Sequence, residues 1–317
     1  MTGYIGSMPT VELAGGRRAS YEVVGNGKAT LMLPGGPGFA AAYMRGDARL
    51  FADALQSFLI DPHGSGESTA PTDLADYTPE GHARFYEEVR QALGLESVCV
   101  LGHSFGGTTA LTYAALFPLH VERCIAVAAF GIGTDVDASS GGEGEAAFAA
   151  MLDRHANAPW YQEARPVMDE WTDRILATDD PAEMERMMVA VLPFYMAHPD
   201  RPEVAAGLAE FRQHLRADLA AGKAWEGGLY QSIDLRPLLS TIACPTLVIA
   251  GELDFISGPH QARPIASAIP NSRLLEIPDC GHSPSIEAPA VYREAVLDFL
   301  SAATPYIKDE ASTPNFS

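Results

Sequence analysis

The sequence predicts an α/β fold: a mostly parallel sheet flanked by helices, interrupted by an all-helical insertion. Three observations predict it. Short apolar runs bounded by turn residues alternate with helix-length segments up to residue 130 and again after 234, the rhythm of strand–helix–strand units. The runs carry few polar residues, as strands covered on both faces do. Between 145 and 222 the rhythm stops, and only helix-length segments follow one another.

Residues 10–24 alternate, turn at Gly15-Gly16 and lead into Gly25-Asn26-Gly27, which predicts a β-hairpin. Strands are expected at 30–34, 57–61, 97–102 and 123–130, with helices over 47–56, 80–93 and 106–117. Small and polar residues over 131–145 predict a loop. Within the insertion, Asp180-Pro181 reads as a helix start, an N-cap with proline at the first helical position. Strands resume at 245–251 and 272–278, and a last helix is expected over 287–302. The organisation is then a core from 1–130 and 234–303, a helical cap from 131–233 and a disordered polar tail from 304–317.

Composition narrows the class. The 317 residues are 47% hydrophobic and 20% charged, an ordinary globular mixture. The formal net charge of −20 repels nucleic acid and anionic membrane and favours cationic ligands, although solubility alone also accounts for it. No apolar run approaches the ~20 residues of a membrane span, and the N-terminus lacks a basic stretch followed by an apolar core. A cytoplasmic protein with no nucleic-acid or membrane partner is expected. Cys99, Cys124, Cys244 and Cys280 are far apart and sit mostly in apolar runs. They read as reduced, buried residues and not as a metal site or disulfide frame.

The chemistry is carried by Gly102-His103-Ser104-Phe105-Gly106. It matches G-x-S-x-G and stands where a strand runs into a helix. The turn is so tight that side chains two before and two after the serine would collide. The hydroxyl of Ser104 then projects above the sheet edge, at the N-terminal end of a helix. A serine needs a base, and the base an orienting acid, in the order Ser, acid, His. Asp254 follows the strand at 245–251, and His282 follows the strand at 272–278. Both fall where open α/β sheets place their sites. The rivals fit less well. His103 should point away from the pocket. His155, His198 and His214 lie on insertion helices and read as surface residues, and His63 and His260 are pocket candidates without the right position. Asp135 is an alternative acid, and Asp279 stands too close to His282 to orient it.

An oxyanion needs two N–H donors, each contributing about 3 kcal/mol or more. Phe105, after the serine, supplies one by position; the loop after the third strand supplies the other. That loop is Pro34-Gly35-Gly36-Pro37-Gly38. Proline has no N–H, and Gly36 is the expected donor, stiffened by Pro37. The loop at 60–68 is turn-rich, with a structural role expected.

In this order, GGPG (35–38), DPHGSGES (61–68), GHSFGG (102–107), GELD (251–254) and CGH (280–282) resemble the α/β-hydrolase superfamily over nearly the whole chain. The first two are similar to the proline iminopeptidase branch of serine peptidases. The resemblance implies an α/β-hydrolase fold with a helical cap between the sixth and seventh strands. It implies triad roles for Ser104, Asp254 and His282, and oxyanion roles for Gly36 and Phe105. Three positions depart from the branch: Pro34 stands for a histidine, Pro62-His63 for Gln-Arg, and Phe255 for an acid that helps hold the substrate's free amine. These departures bear on the substrate and not on the hydrolase chemistry. A buried ammonium needs a charge partner, and the insertion offers Glu163, Glu170, Glu183, Glu185, Glu203 and Glu210 among its acids.

The expected activity is therefore that of a serine hydrolase working through an acyl-enzyme on a small molecule or short peptide, with no metal or organic cofactor. An N-terminal aminoacyl or prolyl amide is the first substrate class and a hydrophobic ester or lactone the second. Phe255, Trp160, Phe194, Tyr195 and Trp225 offer aromatic surface either to a pocket or to the cap's own core. Epoxide and haloalkane hydrolysis on such a fold normally need a carboxylate where Ser104 stands, whereas C–C hydrolysis is compatible with serine. A non-catalytic binding protein is the alternative from another class.

Overall fold

The structure, a computed structural model, describes residues 8–131 and 142–302. The expected tail at 304–317, most of the loop at 131–145 and the alternative acid Asp135 lie outside the described residues. Eight strands form one sheet in the order β1-β2-β4-β3-β5-β6-β7-β8. They are β1 (Thr10–Glu12), β2 (Arg18–Val24), β3 (Lys28–Leu33), β4 (Leu55–Ile60), β5 (Val98–His103), β6 (Val121–Val127), β7 (Thr246–Gly251) and β8 (Ser272–Ile277). The first two strands form the expected hairpin, and β2 runs antiparallel to β4. All pairings from β4 to β8 are parallel. The C-terminal ends of β3, β5, β7 and β8 therefore open on one edge.

Side chains alternate across the sheet as the pleat demands. Leu31 and Leu33 of β3 pack on one face with Phe85, Val89 and Leu111. Met32 packs on the other with Phe51, Val296 and Phe299. The helices supplying these residues include α2 (Pro79–Ala92) and α3 (Phe105–Leu116). Thr78 caps α2, accepting the N–H of Gly81, and proline fills the first position. One expected helix is shorter than read. The segment at 47–56 yields α1 (Arg45–Leu50), because Leu55 already pairs with Lys28 as the first residue of β4. Sheet pairing and burial of Phe51 override local helical preference there.

Between β6 and β7 the described residues hold helices and turns. They include α4 (Glu143–His155), α5 (Tyr161–Asp169), α6 (Trp171–Ala177), α7 (Pro181–Val191), α8 (Pro202–His214) and α9 (Leu219–Ala224). Asp180 caps α7 as expected, accepting the N–H of Ala182. These helices enclose their own apolar cluster, including Met151, Ile175, Met187, Phe194 and Leu208, and Phe39 joins it from the loop after β3. The chain continues through α10 (Arg236–Leu239), α11 (Pro259–Ala268), α12 (Pro284–Glu287) and α13 (Pro289–Ser301). The four cysteines are free and buried. Among the described residues no helix is long and apolar enough to cross a membrane.

Candidate active site

Ser104 sits between β5 and α3 with φ 57° and ψ −124°, a conformation L-residues rarely adopt. Neighbouring bonds hold it there. Its N–H donates to Val127 O at 2.9 Å, and its carbonyl accepts from Gly107 and Thr108 at 2.8 and 3.1 Å. The flanking glycines are required by close approach. A Cβ on Gly102 would lie 1.9 Å from the oxygen of Gly106, and one on Gly106 would lie 2.0 Å from the oxygen of Leu33.

Asp254 and His282 meet from the loops after β7 and β8. His282 Nδ1 lies 2.8 Å from Asp254 Oδ2. The other carboxylate oxygen accepts the N–H groups of Ile256 and Ser257 at 2.9 and 3.2 Å, and the Ser257 hydroxyl donates to Oδ2 at 3.0 Å. Burial alone would raise the Asp254 pKa; the His282 ring and the two N–H donors outweigh it and hold the carboxyl below its ordinary range. An ionised carboxylate only accepts, so Nδ1 of His282 carries a proton, and in the neutral ring Nε2 is left as the acceptor. Ser257, which has no motif to mark it, was not among the expected site residues.

The loop after β3 lies against the serine. Gly35 is so close that a Cβ there would stand 2.8 Å from Ser104 Cβ, and Gly36 takes φ +53°, which glycine alone adopts freely. Phe105 opens α3, so its N–H has no partner within the helix. Among the described residues neither this N–H nor that of Gly36 meets an acceptor.

Gly36, Ser104, Phe105 and His282 line one cavity of about 560 Å³ beneath the cap helices. Its wall is mostly apolar, with Met168, Met184, Met188, Trp171, Phe211 and Phe255 among the lining residues. Of the expected aromatics, Tyr195, Trp225 and Phe255 line it. Trp160 and Phe194 instead pack on each other at 4.9 Å in the cap core. None of the six named insertion glutamates lines the cavity. Among the described residues, the carboxylate that does is Glu226, held by Trp171 Nε1 at 2.7 Å and Thr172 Oγ1 at 2.6 Å.

Three histidine expectations change. His103 lines the cavity instead of pointing away from it, because its ring bridges Tyr43 and the His282 carbonyl. His155 is buried, not on the surface, and its Nε2 pairs with Met196 O. His63 is buried against His82 and Phe85, whereas His260 does line the cavity. Asp279 pairs with His198 and Arg201 of the cap. The loop at 60–68 is structural: Asp61 accepts the Ser20 hydroxyl at 2.7 Å and the Ala41 N–H at 2.8 Å. Among the described residues no group of three or more His, Cys, Asp or Glu could hold a metal ion.

The chain is similar to known proteins over most of its length. A proline iminopeptidase of Heyndrickxia coagulans is 24% identical over 308 residues, covering 92% of this chain and 98% of the relative. The structure of an alpha/beta fold family hydrolase of Bacillus anthracis matches with a TM-score of 0.72 at 16% identity, over 92% of this chain and 98% of that one. The enol-lactonase of Burkholderia xenovorans matches at 0.69 and 22% identity, over 93% and 100%. The family model for the alpha/beta hydrolase fold matches residues 29–289, from β3 to the start of α13, and the chain belongs to that family.

Proposed function

We propose that the protein is a serine hydrolase that cleaves esters of small hydrophobic acids through an acyl-enzyme on Ser104. His282 Nε2 takes the hydroxyl proton as Ser104 Oγ bonds to the carbonyl carbon. The carbonyl oxygen becomes an oxyanion, which the N–H groups of Gly36 and Phe105 receive. Asp254 keeps the imidazole in the required tautomer and steadies the imidazolium. His282 then protonates the departing alcohol, and a water that it deprotonates releases the acid.

The observation carrying this reading is the apolar wall over Ser104. It would bury an acyl chain at roughly 25 cal/mol per Å² but gives an ammonium few partners. Phe255, where a second acid would help hold an amine, packs on Phe148 and Tyr195. A second reading rests on Glu226. As a carboxylate lining the cavity, it would pair with a free amine, and the similarity to proline iminopeptidases favours an N-terminal amide. Short aryl esters, a proline anilide and its N-blocked form separate the two. Rapid ester cleavage with no anilide cleavage is expected. Anilide cleavage that requires the free amine and disappears in Glu226→Gln would overturn the ester reading.

A further inference from the structure

His103 makes two bonds whose directions fix its state. Its Nε2 lies 2.9 Å from the carbonyl oxygen of His282, which can only accept, so Nε2 carries the proton. Its Nδ1 lies 3.0 Å from Tyr43 Oη and, in the neutral ring, accepts the phenol's proton. Tyr43 Oη in turn accepts the N–H of Gly35 at 2.5 Å. The run of donors therefore has one direction: Gly35 N–H to Tyr43, Tyr43 O–H to His103. From the far side of the ring, His103 Nε2–H goes to His282 O.

This chain joins three loops that the fold delivers separately. Gly35 precedes the expected oxyanion donor, His103 precedes the nucleophile, and the His282 carbonyl belongs to the base itself. The same His282 is held from the other side, where its N–H donates to Tyr195 O of the cap at 2.8 Å. Engaging the Gly35 N–H on Tyr43 also leaves Gly36, not Gly35, as the donor free to face the substrate. Enclosure pushes the His103 pKa down to about 4, consistent with the neutral ring that these two bonds require.

We propose that His103, acting with Tyr43, is a positioning residue that sets the separation between the oxyanion loop and the catalytic histidine. It lines the cavity, but both its ring nitrogens are engaged, so it does not carry the transferred proton. The inference rests on the serine-hydrolase reading above. Misplacing catalytic groups by about 1 Å costs on the order of 100-fold in rate, and mainly in the chemical step.

The test compares Tyr43→Phe, His103→Gln and the double variant with the wild type, using a short aryl ester. Tyr43→Phe removes one oxygen and keeps the ring that packs on Phe211 at 4.8 Å. His103→Gln can still donate to the His282 carbonyl but loses the Tyr43 bond. Each single variant is expected to lower kcat about 10–100-fold with KM within about twofold and the fluorophosphonate adduct still on Ser104. Because both cut the same bond, the double variant should lose no more than the worse single one. Wild-type kcat in Tyr43→Phe, a loss confined to KM, or losses that multiply in the double variant would overturn the proposal. A wild-type protein that neither turns over esters or amides nor reacts with a fluorophosphonate at Ser104 would sink the hydrolase reading, and this inference with it.

Discussion

The carboxylate of Glu287, at the end of α12, accepts the backbone N–H of Ala197 in the cap at 2.7 Å. It also accepts the N–H groups of Gly281 and Ser283, on either side of His282, at 3.0 and 3.2 Å. One side chain thus fastens the histidine loop to the cap segment whose Tyr195 carbonyl holds His282. Replacing it by alanine strips three N–H groups of their acceptor in a site with little access to water. Glu287→Ala should cost at least ~2 kcal/mol of stability, read as a lower urea midpoint, and should reduce kcat for the remaining folded enzyme. An unchanged midpoint would show that water satisfies those donors and that the carboxylate does not couple the two segments.

Acid should destabilise the protein through His63. The residue is 4% exposed, its ring lies 4.7 Å from that of His82 and 4.4 Å from that of Phe85, and among the described residues its Nε2 has no hydrogen-bond partner. Burial pushes its pKa from 6.5 down to about 4. A depressed folded value means that the unfolded chain takes up the proton first. The stability contributed by the neutral ring is therefore complete above pH 6.5 and is lost as the pH falls towards 4. At ~1.4 kcal/mol per unit, the loss reaches about 3 kcal/mol. Asp47, raised by burial to about 6, acts in the opposite sense, because its protonation relieves a buried charge. The comparison of wild type with His63→Leu cancels that term. The variant's stability should fall less steeply than the wild type's between pH 6.5 and 4, measured by denaturant titration at each pH. Parallel curves would contradict this account of His63.

The sequence legibility of these features follows from how local they are. The elbow was readable because Gly102 and Gly106 are forced by clashes within a few residues of Ser104. The strand pattern was readable because burial on two faces leaves an apolar run. The end of α1 was not, since it depends on Leu55 pairing with Lys28 across the sheet. His103 was misread for the same reason: its direction is fixed by Tyr43 and by the His282 backbone, distant in sequence. Glu226 carries no local signal to separate it from other acids of a helical insertion. Only the packing of Trp171 and Thr172 against it marks its place.

Two glycine replacements should differ in sign. In Gly106→Ala the new Cβ would meet the Leu33 carbonyl at 2.0 Å, backbone against backbone, with no flexible group to yield. Loss of the folded protein, or destabilisation beyond ~4 kcal/mol, is expected in a thermal melt. Gly46, inside α1, has nothing within 4 Å of the corresponding position. Gly46→Ala should raise stability by up to ~1 kcal/mol through helix propensity. A neutral Gly106→Ala would contradict the account of the turn that presents Ser104.

The central claim is that Ser104 is the nucleophile and that Asp254 and His282 activate it. Mass mapping after reaction with a fluorophosphonate tests it most directly, run beside ester turnover in Ser104→Ala and His282→Ala. The account predicts one adduct, on Ser104, formed rapidly in the wild type and not in His282→Ala, with turnover lost in both variants. An adduct on another residue, or ester hydrolysis retained in Ser104→Ala, would contradict it.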